Sequence, residues 1–182
     1  WCKPQLKLVE RSQMSKIIVM GGSRGIGLET VKTLLQNGHY VTLFSRGASK
    51  VIFSNPNLRL LAGDALSEAD VTAAIEEKDA VVQTLGIPLN RRLITGPVNL
   101  FSSATKILIT AMEKTNSRRL LAVTGFGAGS SYQAISCFQK IPFEIVFGKA
   151  YRDKSLQESL IKNSKLDWTL VRPGVLTNQR CK

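Results

Sequence analysis

The stretch Lys16-Ile17-Ile18-Val19-Met20-Gly21-Gly22-Ser23-Arg24-Gly25-Ile26-Gly27-Leu28-Glu29-Thr30-Val31 decides the fold. Its first five residues are a short apolar run rich in branched side chains, the pattern of a strand buried on both faces. A glycine cluster follows. From Ile26 to Gln36 the spacing predicts a helix, with Leu28, Val31 and Leu35 on one face and Asn37-Gly38 as its stop. A strand, a glycine-rich turn and a helix in this order suit a pyrophosphate. That group needs a tight turn, backbone that can approach closely and free N–H groups at a helix start. Gly21 supplies the turn, Gly25 leaves room for the phosphates, and Gly27 lets the helix pack closely against the strand. Gly22, Ser23, Arg24 and Ile26 complete the candidate cofactor loop.

Outward from this unit, strand-like and helix-like segments alternate. Strands are predicted at Tyr40 to Phe44, Leu58 to Leu61, Ala80 to Thr84, Leu120 to Thr124 and Trp168 to Val171. Ser67 is placed to cap a helix running through Ile75, with Glu68 and Asp70 at its positive end. Leu100, Ala104, Ile107, Leu108 and Ala111 have helical spacing, and Tyr151 to Asn163 reads as a helix. Gly125 to Gly148 mixes glycine, serine and aromatics and carries no assignment. The expected fold is α/β: a doubly wound parallel sheet (Rossmann fold) of order 3-2-1-4-5-6 with helices on both faces. Such a sheet binds ligand at the carboxyl ends of its strands. The loops after Met20, Phe44, Leu61, Thr84, Thr124 and Val171 are thus expected to form one crevice.

Composition fits that picture. The chain has 182 residues, 43% hydrophobic and 21% charged, enough for a single domain with a real core. No apolar run reaches the length of a membrane span, so no membrane partner is expected. The net charge is +12, but the basic residues are spread along the chain, with only small pairs at Arg91-Arg92 and Arg118-Arg119. That pattern makes nucleic acid the weaker reading and a solvated basic surface the plainer one, so no nucleic-acid partner is expected. Cys2, Cys137 and Cys181 form no Cys-x-x-Cys pair, which argues against a disulfide framework or a zinc site and suits a reducing, cytoplasmic setting. The one histidine, His39, begins a strand, so neither a metal site nor a catalytic triad is expected. Residues 1–15 read as a basic, disordered tail and residues 16–182 as the binding domain. Trp1 is no initiator, Met14-Ser15-Lys16 resembles a natural start, and the chain stops soon after its sixth strand, so the domain is expected to lack a C-terminal part. A monomer or weak homo-oligomer is expected.

The spacing Gly-x-x-x-Gly-Ile-Gly from Gly21 to Gly27 resembles the short-chain dehydrogenase/reductase superfamily. Gly63-Asp64-Ala65-Leu66 resembles its Asp-containing adenine contact. Leu166-Asp167-Trp168-Thr169-Leu170-Val171-Arg172-Pro173-Gly174 resembles the sixth strand of its atypical NmrA-like and biliverdin/flavin-reductase-like branch. The resemblance runs from Lys16 to about Asn178. It implies that Asp64 accepts from the adenine amino group with Ala65 beside the ring. It also implies that Thr84, Leu85 and Gly86 line the ribose next to the nicotinamide, and that Pro173 and Gly174 close the site.

An NAD site has an acid after the second strand; here that place holds Ser45-Arg46. An arginine fork pairs with a 2′-phosphate, which an acid would repel, and Arg24 can approach the same group. The expected cofactor is therefore NADP(H). The superfamily's acid/base pair, Tyr-x-x-x-Lys, is absent. Tyr151-Arg152-Asp153-Lys154 carries the residue types one position short, yet three residues still return to one helix face. Thr124 stands where the superfamily places its catalytic serine or threonine, so Thr124, Tyr151 and Lys154 are the catalytic candidates, with Lys154 also a ribose contact. The resemblance implies an oxidoreductase that passes hydride from NADPH to a small, planar organic acceptor. The departure from the tyrosine motif keeps a second expectation open, a non-catalytic NADP(H)-binding sensor or scaffold.

Overall fold

The computed structural model describes residues 14–87, 99–125 and 137–174, with the backbone course alone for 137–147. Six parallel strands form one sheet in the order β3-β2-β1-β4-β5-β6: β1 Lys16–Met20, β2 Tyr40–Phe44, β3 Leu58–Leu61, β4 Ala80–Gln83, β5 Arg119–Val123 and β6 Asp167–Val171. The helices are α1 Gly25–Gln36, α2 Glu68–Ile75, α3 Leu100–Lys114 and α4 Cys137–Lys162, with a short 3₁₀ turn at Ala48–Lys50. The expected order and class hold. β1 lies between β2 and β4, Ile18 opposite Thr42 on one side and Val81 on the other, so the chain reverses direction across the sheet beside the glycine turn.

Alternating side chains build two cores. Val19, Leu43 and Val82 meet Val31 and Leu35 of α1 on one face. Ile18, Met20, Phe44, Val81 and Leu120 meet α2, α3 and Ile161 of α4 on the other. Ser67 caps α2 as expected, its hydroxyl accepting from the Asp70 N–H at 3.3 Å. The strands predicted to end at Thr84 and Thr124 each stop one residue earlier. Thr84 and Thr124 instead leave the sheet edge, their N–H groups donating to the Met20 and Val171 carbonyls at 2.8 and 2.9 Å.

One segment differs from expectation. The helix predicted to begin at Tyr151 begins at Cys137, inside the stretch without an assignment. Pro142 and Gly148 fall within it, and both weaken the sequence signal of a helix interior. Polar contacts lock its second half in place. Gln157 Nε2 donates to Gln83 Oε1 at 2.9 Å, and Gln83 Nε2 donates to Thr105 Oγ1 at 3.0 Å, tying α4, β4 and α3 together. Asp153 of α4 accepts from the Phe101 and Ser102 N–H groups at 2.8 and 3.3 Å, placing a carboxylate at the positive end of α3. Those contacts set the rotation of α4 and hence where Tyr151 and Lys154 stand.

Candidate active site

A crevice of about 810 Å³ runs along the carboxyl edge of the sheet. All six loops expected to form it contribute to its lining. The volume lies within the range of small-molecule and cofactor sites.

At its centre is the glycine turn. Gly21 has φ +87°, and a Cβ there would lie 2.8 Å from the Thr84 carbonyl oxygen. Gly25 also has a left-handed backbone, φ +55°, and its missing side chain opens on empty space above the crevice. A Cβ on Gly27 would stand 2.5 Å from both the Gly21 carbonyl oxygen and Thr84 Oγ1. Gly27 thus lets α1 pack closely onto the glycine turn that follows β1 and onto Thr84, just past β4. Gly22 is the one expected cofactor residue that does not line the crevice. It is buried behind the crevice, where a Cβ would press on Leu43 and Val31 at 3.0 and 3.1 Å. The first turn of α1 contains no acid and its N-cap, Arg24, makes no side-chain cap hydrogen bond, so the N–H groups of that turn are left to other partners.

At one end, Ser23, Arg24, Ser45 and Arg46 line the wall. Neither arginine is ion-paired to a carboxylate among the described residues. Lys50, from the 3₁₀ turn, joins them; its distance from the Gly21–Gly27 turn left no signal in the sequence. The Ser45 hydroxyl is buried without a hydrogen-bond partner. Asp64 and Ala65 stand on the same wall. Asp64 Oδ1 accepts from the Leu66 N–H at 3.0 Å, so one carboxylate oxygen braces its own turn. Gly63 admits no side chain because the Phe44 ring lies where its Cβ would be.

At the other end, Thr84, Leu85, Gly86, Thr124, Tyr151, Lys154, Pro173 and Gly174 line the crevice together. Burial pushes the Tyr151 hydroxyl up from its ordinary range. Burial also pulls the Lys154 amine down to about 8, against the nearby negative charge of Glu158, which raises it. Lys154 Nζ donates to the Thr124 carbonyl and lies 4.8 Å from the centre of the Phe101 ring. The Thr124 hydroxyl donates to Glu158 Oε1 at 2.8 Å. Glu158 is almost fully buried and is gripped by Arg172, Nε to Oε1 at 2.8 Å and Nη2 to Oε2. Burial alone would raise the Glu158 carboxyl, but the hydrogen bonds from Arg172 and Thr124 and the charges of Arg172 and Lys162 outweigh it and leave it lowered. Sequence reasoning passed over Glu158, Arg172, Asp153 and Phe101. Each acts across elements that only the fold brings together.

The NAD(P)H-binding family model matches residues 21–182. Two curated relatives are similar over shorter stretches. Ipsdienol dehydrogenase of Ips pini is 38% identical over 79 residues, 43% of this chain and 30% of that protein. A 3 beta-hydroxysteroid dehydrogenase/Delta 5-->4-isomerase of Mycobacterium tuberculosis is 35% identical over 77 residues, 42% of this chain and 20% of that protein. The matched stretches thus span less than a third of either relative's length. Among solved structures, ChuY, an anaerobillin reductase from Escherichia coli O157:H7, is 25% identical with a TM-score of 0.72, over 92% of this chain and 82% of that one.

Proposed function

The chain belongs to the NAD(P)H-binding family, and on that premise we propose that it is an oxidoreductase that uses NADPH to reduce a small, planar organic acceptor. The observation that carries the reading is one continuous crevice with two chemically different ends. Arg24, Arg46 and Lys50 stand at one end and Tyr151 and Lys154 at the other, with a glycine turn between them. The residues present fit a dinucleotide bearing a 2′-phosphate. The opening above Gly25 receives the pyrophosphate against the start of α1, the orphaned Ser45 hydroxyl gains a partner, and the arginine forks face the extra phosphate.

A reduced nicotinamide, when bound, supplies a hydride. The chain's own residues bind, orient and move protons around it. Lys154 holds the ribose from the wall shared with Thr124. Tyr151, three residues before it, lines the same end of the crevice with its hydroxyl beside Gly125 and helps to hold the acceptor. The Thr124 hydroxyl proton is already committed to Glu158, so in this reading Thr124 shapes the wall and does not donate to the acceptor.

Steady-state oxidation of NADPH with a panel of flavins, quinones and bilins tests the proposal. Turnover of any of them with a clear preference over NADH supports it. Tight NADPH binding with no turnover would replace it with the sensor reading, which Tyr151-x-x-Lys154 in place of the superfamily's longer spacing favours.

A further inference from the structure

We propose that Glu158 is the positioning residue for the crevice-facing amine of Lys154, acting through Thr124, and that through Arg172 it fixes the Pro173-Gly174 wall in the same contact. The inference rests on the reading of Lys154 as a cofactor contact.

An ionised carboxylate with 1% of its side chain exposed is costly to bury unless it is fully partnered. Glu158 is. Arg172 grips both oxygens, the Thr124 hydroxyl donates to Oε1 at 2.8 Å, and Lys162 Nζ lies 3.7 Å from Oε2. This arrangement does more than close the core. All three polar groups of Thr124 are engaged: its N–H donates to the Val171 carbonyl, its hydroxyl donates to Glu158, and its carbonyl receives Lys154. Lys154 and Glu158 stand four residues apart on α4, on one helix face. Arg172 directly precedes Pro173 and Gly174, which line the same crevice as Lys154. One carboxylate therefore joins the ends of β5 and β6 to the helix that carries the amine.

Among the described residues, few titratable or charged groups stand near Lys154. Tyr151, Asp153 and Glu158 come from α4 and Arg172 from the end of β6. The neighbours from α3 and β5, Phe101 and Thr124, are uncharged. Burial lowers the Lys154 amine to about 8 and Glu158 raises it, so removing the Glu158 charge lowers it further. That shift follows from charge alone; below pH 7, where Lys154 is protonated in either protein, a positioning role predicts weaker NADPH binding in Glu158→Gln, and unchanged affinity there would overturn it.

The test compares the wild type, Glu158→Gln and Glu158→Asp. Lysines are reductively methylated with ¹³C-formaldehyde and titrated by NMR without ligand, the Lys154 signal being assigned by its loss in Lys154→Arg. NADPH affinity is then measured against pH. Glu158→Gln should lower the Lys154 midpoint by roughly half to one unit, cutting the protonated fraction at pH 8 about two- to fivefold. The pH above which NADPH affinity falls should move down with it. Glu158→Asp, charged but shorter, should lie between the two, and it decides the matter alone if Glu158→Gln does not fold. An unmoved midpoint, or unchanged affinity below pH 7, in the folded variant would overturn the inference. A moved midpoint beside a wild type that does not bind NADPH would leave the Glu158 charge acting on Lys154 and sink the functional reading instead.

Discussion

A methyl group on Gly27 would stand 2.5 Å from the Thr84 hydroxyl oxygen. Neither partner can retreat cheaply. Thr84 Oγ1 donates to the Met20 carbonyl at 2.9 Å, and the other atoms in the way are backbone of Gly21 and Gly22. Gly27→Ala should therefore destabilise the domain by about 1–3 kcal/mol, the usual cost of overpacking, and weaken NADPH binding by shifting the glycine turn. Urea denaturation with calorimetry on the folded fraction checks both; a variant as stable as the wild type would show that the turn is looser than its geometry.

Gly25→Val separates the same loop's ligand role from its packing role. Nothing lies within 4 Å of a Cβ there, so no core contact is lost, and the left-handed backbone adds about 1–2 kcal/mol of strain. The variant should remain folded and lose NADPH. Unchanged affinity in a folded variant would show that the cofactor does not pass over Gly25.

The glycine turn was legible in the sequence because its constraint is local: Gly21 and Gly25 have positive φ angles. The strand order was legible because strands alternate with helices throughout and the first strand runs into a glycine turn, the pattern of a doubly wound sheet. Other features were hidden because partners distant in sequence make them. Gly22 looks like one more ligand glycine, yet its neighbours are Leu43 and Val31. Glu158 looks like an exposed acid four residues from Lys154 or Lys162, and only the return of β6 brings Arg172 onto it. The first half of α4 contains Pro142 and Gly148, so composition concealed a helix.

Cofactor choice should follow the cations. NADPH is expected to bind at least tenfold more tightly than NADH, a difference of about 1.4 kcal/mol, which charge-assisted contacts from Arg24 and Arg46 readily supply. Arg46→Asp should reverse the preference, and Lys50→Ala should narrow it without reversing it. Equal dissociation constants for the two cofactors in the wild type would remove the role given to the arginines.

Lys154 also leaves a mark on stability. Its folded-state amine titrates at about 8, below its ordinary 10.5, so between those two pH values the unfolded chain holds more protons than the native one. Stability should rise with pH across that window, because the cost of burying the charge is relieved, and that rise should be missing in Lys154→Met. Chemical denaturation at pH 7 and pH 10 measures it. Parallel curves for the two proteins would mean that Lys154 titrates as an ordinary surface lysine.

Tyr151 decides between mechanisms. Its hydroxyl lies close to Gly125, where a Cβ would come within 3.0 Å of it, and burial holds it protonated well into the alkaline range. A neutral phenol so placed can donate to an acceptor, but Lys154, three residues on, is turned to the Thr124 carbonyl. A general acid contributes about 10²–10⁴ in rate. If hydride passes directly between two held rings, Tyr151→Phe should cost less than tenfold in kcat and leave NADPH affinity unchanged, whereas Lys154→Ala should weaken affinity. We expect that pattern, since the pair stands one residue short of the superfamily's spacing and the acceptor's proton can then come from solvent. A loss of a hundredfold or more in kcat for Tyr151→Phe, with NADPH still bound, would make Tyr151 the acid.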